Sequence, residues 1–412
     1  MKKIIYFFIF LFFFNCSYSQ NVRELINIGI EQYKKKNFPE AIEFFTKSIN
    51  LEPFNLKSYF YRGLSNVELK DYKLALFDFN KVLEIDPKNV KAFKYRGLIK
   101  DELEDFHGAI QDYTKIIDID PNFIEAYNSR GLDREELKDT LGAIADYTKV
   151  IEIDGKNVQG YFFRGICYEN INKNEDALQD YDKAIELGLN NFTNYLLRGN
   201  VKRKLNKNIE AIADYNKAAE LKPDTTITYL FRAICKKEIN DFVGAINDFN
   251  NAIRIDPKSW EAYYYRAKLT ADSKYYNSAI ADYTRVIEIN SKKADAFENR
   301  AVIEIQLKQF KNALYDWNRA IELNPSNADY YFQRGNLKLK LKDFFGAIAD
   351  FSSIIELEPK FADAYYLRAL SRIKLDNKAN VCSDFSAAEE LGISVSKNLI
   401  KKYCHKDAIA KN

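Results

Sequence analysis

A period of 34 residues runs through the chain and constrains its fold more than any other feature. Seven of the eight prolines are separated by multiples of 34: Pro53, Pro87, Pro121, Pro223, Pro257, Pro325 and Pro359. With this proline as position 32, eleven repeats run without insertion from Val22 to Val395. They are 22–55, 56–89, 90–123, 124–157, 158–191, 192–225, 226–259, 260–293, 294–327, 328–361 and 362–395. Self-similarity at a fixed period predicts a solenoid of stacked units.

The columns of this alignment predict two packed helices in each repeat. Positions 1–14 and 18–31 show helical periodicity. Position 8 is Gly or Ala in all eleven repeats, position 20 is Ala in ten, and position 24 is always aromatic, as in Gly97, Ala109 and Tyr113. Small residues let two helices approach closely, and the aromatic rings fill the space beside them. Proline at position 32 ends the second helix.

These columns resemble the tetratricopeptide repeat family, and the segment Ile124–Lys156, IEAYNSRGLDREELKDTLGAIADYTKVIEIDGK, is similar to that repeat along its whole length. The resemblance implies an all-α fold, a right-handed superhelix of antiparallel helix pairs with a concave groove. Departures from the pattern are local. Gly155, Leu189, Ser291 and Ile393 stand where the other repeats have proline.

Two charged columns predict an ion pair inside each hairpin. Position 7 is Arg and position 23 is Asp in every repeat except the first, which lacks both. Both positions lie at similar depth on antiparallel helices, so a structural pair is favoured over a ligand-binding ladder of arginines. The predicted pairs are Arg62–Asp78, Arg96–Asp112, Arg130–Asp146, Arg164–Asp180, Arg198–Asp214, Arg232–Asp248, Arg266–Asp282, Arg300–Asp316, Arg334–Asp350 and Arg368–Asp384.

The N-terminus predicts export. Lys2 and Lys3 precede an apolar run from Ile4 to Phe14, which is too short to span a bilayer as a helix. Ser17 and Ser19 precede a cleavage site before Gln20, so residues 1–19 are typical of a secretory signal peptide. Two alternatives stay open, a lipid anchor at Cys16 and an uncleaved membrane anchor.

No catalytic or cofactor motif accompanies the repeats. The chain has two histidines, His107 and His405, and lacks a phosphate-binding loop, a nucleophile elbow and a zinc-protease motif. We therefore expect neither enzyme activity nor a metal, a cofactor or a small-molecule substrate. With 62 basic and 59 acidic residues, the net charge of +3 also argues against nucleic-acid binding.

The groove is the candidate site. In the resembled family, positions 2, 5, 9, 12 and 13 of the first helix face it. Position 5 carries large apolar residues that either bind a partner or pack between repeats: Phe60, Phe162, Leu196, Leu230, Tyr264, Phe332 and Tyr366. Positions 12 and 13 carry an acidic stretch and a basic stretch that either orient a charged partner or are merely solvated: Asp101, Glu102, Glu135, Glu136 and Glu169, then Arg203, Lys204 and Lys237. The carboxylate clamp of some family members does not carry over.

The C-terminal segment 396–412 is predicted to cap the solenoid with a helix over Ser396–Ile409. Leu399, Ile400 and Tyr403 give that helix an apolar side. Cys382 and Cys404 fall at matched depth on antiparallel helices, so they form either a disulfide or two reduced core thiols.

These features predict an exported scaffold, periplasmic or extracellular, that binds a protein or peptide. Two alternatives stay open. One is a periplasmic chaperone-like binder of peptides or unfolded chains, and the other is a docking subunit of an enzyme complex.

Overall fold

The computed structural model describes residues 21–377, 380–394 and 396–404. The predicted signal peptide, the alternative anchor at Cys16, His405 and the last part of the predicted cap lie outside these residues. The described part is helical throughout, with turns between the helices and no strand. It divides into two compact units between Asn206 and Lys207, and each unit is a stack of antiparallel helix hairpins.

The first unit contains eleven helices, and the first helices of the hairpins begin at regular intervals of 34 residues from residue 56 onward. They are α1 (21–34), α2 (Phe38–Leu51), α3 (Leu56–Glu68), α4 (Tyr72–Ile85), α5 (Val90–Glu102), α6 (Phe106–Ile119), α7 (Ile124–Glu136), α8 (Thr140–Ile153), α9 (Val158–Asn170), α10 (Asn174–Glu186) and α11 (Phe192–Lys204).

The second unit contains twelve helices among its described residues. They are α12 (Asn208–Leu221), α13 (Thr226–Glu238), α14 (Phe242–Ile255), α15 (Trp260–Asp272), α16 (Tyr276–Ile289), α17 (Ala294–Gln306), α18 (Phe310–Leu323), α19 (Ala328–Lys340), α20 (Phe344–Leu357), α21 (Ala362–Lys374), α22 (Val381–Glu390) and α23 (Ser396–Tyr403).

The turn inside the hairpins explains why the second helices from α2 to α20 begin at position 17, one residue earlier than predicted. Position 15 adopts a left-handed conformation in every repeat although it is never glycine, as in Lys138 with φ 62°. The chain therefore reverses at once, and position 16 caps the next helix. Asp139 is an example, because its side chain accepts a hydrogen bond from the backbone N–H of Gly142.

Glycine replaces proline as the signal that ends two of the second helices. Leu189 and Ile393 occupy the proline position, and the residues before them, Gly188 and Gly392, both have φ of 104°. This conformation is accessible to glycine and ends a helix. Helices α10 and α22 accordingly end one residue earlier in the repeat than the other second helices.

The core of each hairpin lies where the small and aromatic columns meet. A β-carbon on Gly97 would lie 2.9 Å from Tyr113 Cε1, so the ring occupies the space that a side chain would need. The same contact joins Gly131 to Tyr147 and Gly335 to Phe351. These rings are almost fully buried, which is what the size pattern predicts.

The cap of the second unit is α23, which packs Leu399 and Ile400 against the cluster around Phe385. The described helix ends at Tyr403, short of the predicted Ile409, whose position lies outside the described residues. None of the helices in the described ranges has the length and apolar character needed to cross a membrane.

Candidate protein-interaction site

The predicted Arg–Asp pairs form short contacts inside the hairpins. Nη2 or Nε of each arginine lies 2.5–2.8 Å from its aspartate in nine of the ten predicted pairs. The carboxylates are almost fully buried; burial raises the pKa of Asp78, and the hydrogen bond and charge of Arg62 oppose that shift. The tenth pair joins Arg198 in the first unit to Asp214 in the second, and it stays a prediction.

Each of these arginines also contacts the preceding hairpin, which the sequence analysis missed. Arg130 Nη1 donates to Thr114 Oγ1 at 3.0 Å, and Arg164 Nη1 donates to Thr148 Oγ1 at 3.2 Å. The acceptor is always at position 25: Thr46, Asn80, Thr114, Thr148, Asp182, Asn216, Asn250, Thr284, Asn318 and Ser352. Polar residues recur at position 25 of the repeats, so these contacts could have been predicted from the sequence. Because the described guanidinium groups contact both the aspartate of their own hairpin and position 25 of the preceding one, these arginines link neighbouring hairpins.

Position 11 adjusts the charge around the buried aspartate. A second cation contacts that aspartate in at least five of the described hairpins: Lys100, Arg134, Lys236, Lys338 and Arg372. Glu304, at the same position, has the opposite charge and places a carboxyl group that is 4% exposed beside Asp316. Burial, followed by the charge of Asp316, raises the pKa of Glu304 to about 7.

The large residues at position 5 mostly pack between helices instead of forming an open apolar surface. Phe60 contacts the rings of Tyr61, Phe79 and Tyr95, with centroid distances of 5.8 Å. Leu230 is 6% exposed and belongs to the core of the second unit.

Of the two interpretations of position 5, packing between repeats therefore describes Leu230. The other five position-5 residues are half-buried: Phe162, Leu196, Tyr264, Phe332 and Tyr366. Aromatic packing accounts for most of them. Phe162 contacts Phe163 and Tyr181, Phe332 contacts Phe361, and Tyr366 contacts Phe385. Tyr264 contacts Tyr283.

The position-12 acids of the first unit form a carboxylate row, defined here as Asp101, Glu135 and Glu169. Each is half-buried and accepts a hydrogen bond from the core tyrosine of its own hairpin. Tyr113 Oη lies 2.5 Å from Asp101 Oδ2, and Tyr147 and Tyr181 make the corresponding contacts to Glu135 and Glu169 at 3.3 and 3.2 Å. Burial and the adjacent carboxylate raise the pKa of these tyrosines.

The carboxylate row also contacts position 10 of the following hairpin. The residue at that position differs from one pair of neighbouring hairpins to the next. Cys167 Sγ donates to Glu135 Oε1 at 3.0 Å. At the boundary before it, Asp133 faces Asp101, and Asp133 is 4% exposed. Burial, followed by the charge of Asp101, raises the pKa of Asp133 to about 8, so these two carboxyl groups hold a shared proton at neutral pH.

The acidic and basic stretches are less separate than predicted. Lys204 Nζ lies 2.8 Å from Glu169 Oε1, so the end of the carboxylate row is neutralised by the start of the basic stretch. Arg203 is half-buried, and Lys237 lies 3.5 Å from Glu238. The predicted acids that remain exposed are Glu102 and Glu136.

An exposed apolar pair beside those acids was missed by the sequence analysis. Leu98 and Leu132, both at position 9, are 39% and 43% exposed on the first helices α5 and α7. They precede Glu102 and Glu136 by four residues and therefore lie on the same helix faces. We call these four residues the Leu–Glu surface. The sequence has leucine at this groove position in three consecutive repeats, but the first of them, Leu64, is buried.

Cys382 and Cys404 are joined by a disulfide, with their Cα atoms 5.7 Å apart. It links the last second helix, α22, to the residue that follows the capping helix α23. Cys167 and Cys235 are buried thiols, and burial raises the pKa of Cys167. Within the described ranges, no group of three or more His, Cys, Asp or Glu side chains is placed to hold a metal ion.

Known repeat families are similar to this chain over part of its length. Family models of the tetratricopeptide repeat match residues 56–89, 96–123, 158–190 and 192–225, and a TPR repeat model matches residues 301–342. Models of this repeat therefore match the chain at several positions. No curated protein matches it.

The similar solved structures have low sequence identity to this chain, and two of them are described as tetratricopeptide repeat proteins. YrrB, described as a TPR protein with an unusual peptide-binding site, has 21% identity and a TM-score of 0.43 over 46% of this chain and 97% of that one. A tetratricopeptide repeat protein from Parabacteroides merdae has 22% identity and a TM-score of 0.44 over 61% and 99%. Yeast Tom70 has 16% identity and a TM-score of 0.37 over 95% and 96%.

Proposed function

We propose that the chain is an exported interaction scaffold that binds a partner protein or peptide at the Leu–Glu surface. The carrying observation is that Leu98 and Leu132 are exposed on the first helices, where most neighbouring large residues are buried. Two apolar side chains flanked by two carboxylates suit a partner segment with apolar anchors and basic flanks. The buried core supplies the frame, and the variable positions supply the specificity.

Support for export comes from the N-terminal sequence and from the cysteines. A positively charged start followed by a short apolar run is typical of a secretory signal. The disulfide between Cys382 and Cys404 suits an oxidising compartment, where such bonds persist. N-terminal mapping of the mature protein tests this proposal. A first residue at Gln20 supports cleavage, a lipid-modified Cys16 would indicate an anchored lipoprotein, and an intact N-terminus would contradict processing.

Photocrosslinking from within the native cell tests the binding surface. A crosslinkable residue placed at Leu98 or Leu132 is expected to capture one partner in stoichiometric amount. The matched control is Leu141, which is 70% exposed on the second helix α8 and lies off this face. Equal labelling from Leu141 would contradict the proposed site.

The captured proteins also separate the alternative functions. A single partner supports a scaffold, whereas many weakly bound clients sharing apolar and basic segments would support a chaperone-like binder. A captured partner that contains a catalytic domain would support a docking subunit of an enzyme complex.

A further inference from the structure

We propose that the chain self-associates through two oppositely charged surfaces, one in each unit, so that the first unit of one copy binds the second unit of another. The basic surface comprises Arg23, Lys57, Lys91 and Lys94. The acidic surface comprises Asp295, Glu298, Asp329 and Asp363. Both consist of positions 2 and 5 of first helices, and neither overlaps the Leu–Glu surface.

The basic surface opposes the local electrostatics of its own helices. Lys57 and Lys91 are exposed in the first turns of α3 and α5, where the partial positive charge of the helix terminus disfavours cations. Within the described chain, no carboxylate forms an ion pair with either lysine. Lys94 lies over the ring of Phe123 at 5.9 Å. Lys57 and Lys91 therefore destabilise their own helices and have no carboxylate partner in the described chain. Such an unfavourable placement indicates a contact with another molecule.

The acidic surface concentrates negative charge at the corresponding positions of the second unit. Asp329 and Asp363 are exposed in the first turns of α19 and α21, and Asp295 precedes them on α17. Burial raises the pKa of Glu298, and the nearby charges of Asp295 and Asp329 raise it further. Lys293 lies 2.5 Å from Asp295 and offsets part of this charge.

First-turn acids stabilise helices, so the acidic surface alone would indicate nothing about a partner. The lysines of the basic surface are the evidence for a partner, because they carry positive charge at the same repeat positions. A second copy supplies the complementary charges in the same number and on the same helix positions. A net charge of +3 on the whole chain leaves little overall repulsion between copies. Symmetric homo-oligomers are also the commonest assemblies of soluble proteins.

Sedimentation velocity of the full chain over a concentration series tests the proposal. Wild type is expected to associate at roughly 20 mM salt and to dissociate at roughly 500 mM, where the Debye length falls from roughly 20 Å to roughly 4 Å. Lys57→Glu with Lys91→Glu is expected to weaken association at least about tenfold, as is Asp329→Lys with Asp363→Lys. The matched control is Lys115→Glu with Lys149→Glu, which makes the same charge change at exposed positions of the second helices α6 and α8, where each lysine has a carboxylate partner in its own helix.

Mixing the two charge-reversed variants provides the decisive measurement. Each variant alone is expected to be monomeric, and the mixture is expected to associate, because the reversed surfaces now match one another. The mixture also shows that both variants are folded. Wild type that stays monomeric at low salt overturns the proposal. So does association that survives the Lys57/Lys91 reversal, or a mixture that fails to associate.

Discussion

Two kinds of contact in this molecule differ in how often they occur. The link from Arg130 to Asp146 and back to Thr114 recurs in hairpin after hairpin with nearly unchanged distances. The contact between Asp101 and Asp133 occurs once, between the third and fourth repeats. Other pairs of neighbouring hairpins have other side chains at the same positions. Glu135 meets Cys167 at the next boundary.

This difference separates the frame of the molecule from its individual features. A contact that recurs in every hairpin has the geometry of the stack as its cause. A contact that occurs once, on the same backbone, reflects a local substitution whose effect can be measured against the repeats that lack it. The repeats therefore serve as internal controls for one another, and nearest-neighbour stability in a solenoid keeps each effect local.

The largest expected effect is the loss of a buried ion pair. Arg164→Ala leaves Asp180 buried without a cation, because position 11 of that hairpin is Tyr168. Breaking a buried pair in this way is expected to cost about 3–5 kcal/mol of local stability. Hydrogen exchange of α9 and α10 provides the measurement, with circular dichroism to follow the remaining helices.

Arg130→Ala is the matched comparison for that variant. Asp146 keeps a second cation, because Arg134 Nη1 lies 2.7 Å from its carboxylate. The Arg130 variant is therefore expected to lose clearly less protection than the Arg164 variant. Equal losses would show that the contact to position 25, common to both arginines, matters more than the charge of the aspartate.

The next effect concerns the disulfide, which occurs once. Cys382 and Cys404 are 22 residues apart, and closing a loop of this length stabilises by about 3 kcal/mol in chain-entropy estimates. Reduction is expected to raise hydrogen exchange in α22 and α23 while hairpins of the first unit stay unchanged. A Cys382→Ser, Cys404→Ser variant should be insensitive to reductant. A peptide digest of the non-reduced protein should contain the Cys382 and Cys404 peptides joined by the disulfide, and their absence would contradict this prediction.

Much of the fold follows from the sequence because its cause is periodic. The aromatic, small-residue and proline columns are sufficient to predict the helix pairs, and the paired absence of Arg and Asp in the first repeat is sufficient to pair those columns. The left-handed residue at position 15 was not predictable from composition. Lysine is common there although glycine adopts that conformation more easily, so tertiary packing overrides the local preference.

The candidate site was harder to predict because burial depends on neighbouring helices. Position 5 looks like a groove residue in every repeat, yet Phe60 and Leu230 are covered by side chains that sequence spacing cannot place. Glu135 and Glu169 look like surface acids, but tyrosine hydroxyls below them draw their carboxylates inward. Leu98 and Leu132 were readable as groove residues, and only the structure shows that they stay exposed.

The pH dependence of stability tests the acid pair between the third and fourth repeats. Asp133 has a pKa of about 8 in the folded chain, against an ordinary value near 4, so its stabilising contribution is present at low pH and declines as the pH rises toward 8. Asp133→Asn is expected to flatten this decline, and its gain over wild type at pH 8 should exceed about 1 kcal/mol, since one pKa unit corresponds to ~1.4 kcal/mol.

Thermal unfolding at pH 5 and pH 8 provides that measurement, and Asp118→Asn is the control. Asp118 is exposed on α6, away from the Asp101–Asp133 pair, so neutralising it should leave the pH dependence unchanged. An Asp133→Asn variant with the same pH dependence as wild type would contradict the shared proton.

The smallest expected effect concerns the recurring turn and has the opposite sign, because it stabilises. Lys138 has φ 62°, a conformation that costs an ordinary L-residue roughly 1–2 kcal/mol, whereas glycine adopts it freely. Lys138→Gly is therefore expected to raise local stability by up to about 1 kcal/mol after the greater entropy loss of glycine is subtracted. Asn172→Gly, at the same turn position one repeat later, should gain less, because asparagine tolerates this region better than lysine. Equal gains in the two melting temperatures would mean that the neighbouring helices, and not the backbone preference of the residue, set the free energy of this turn.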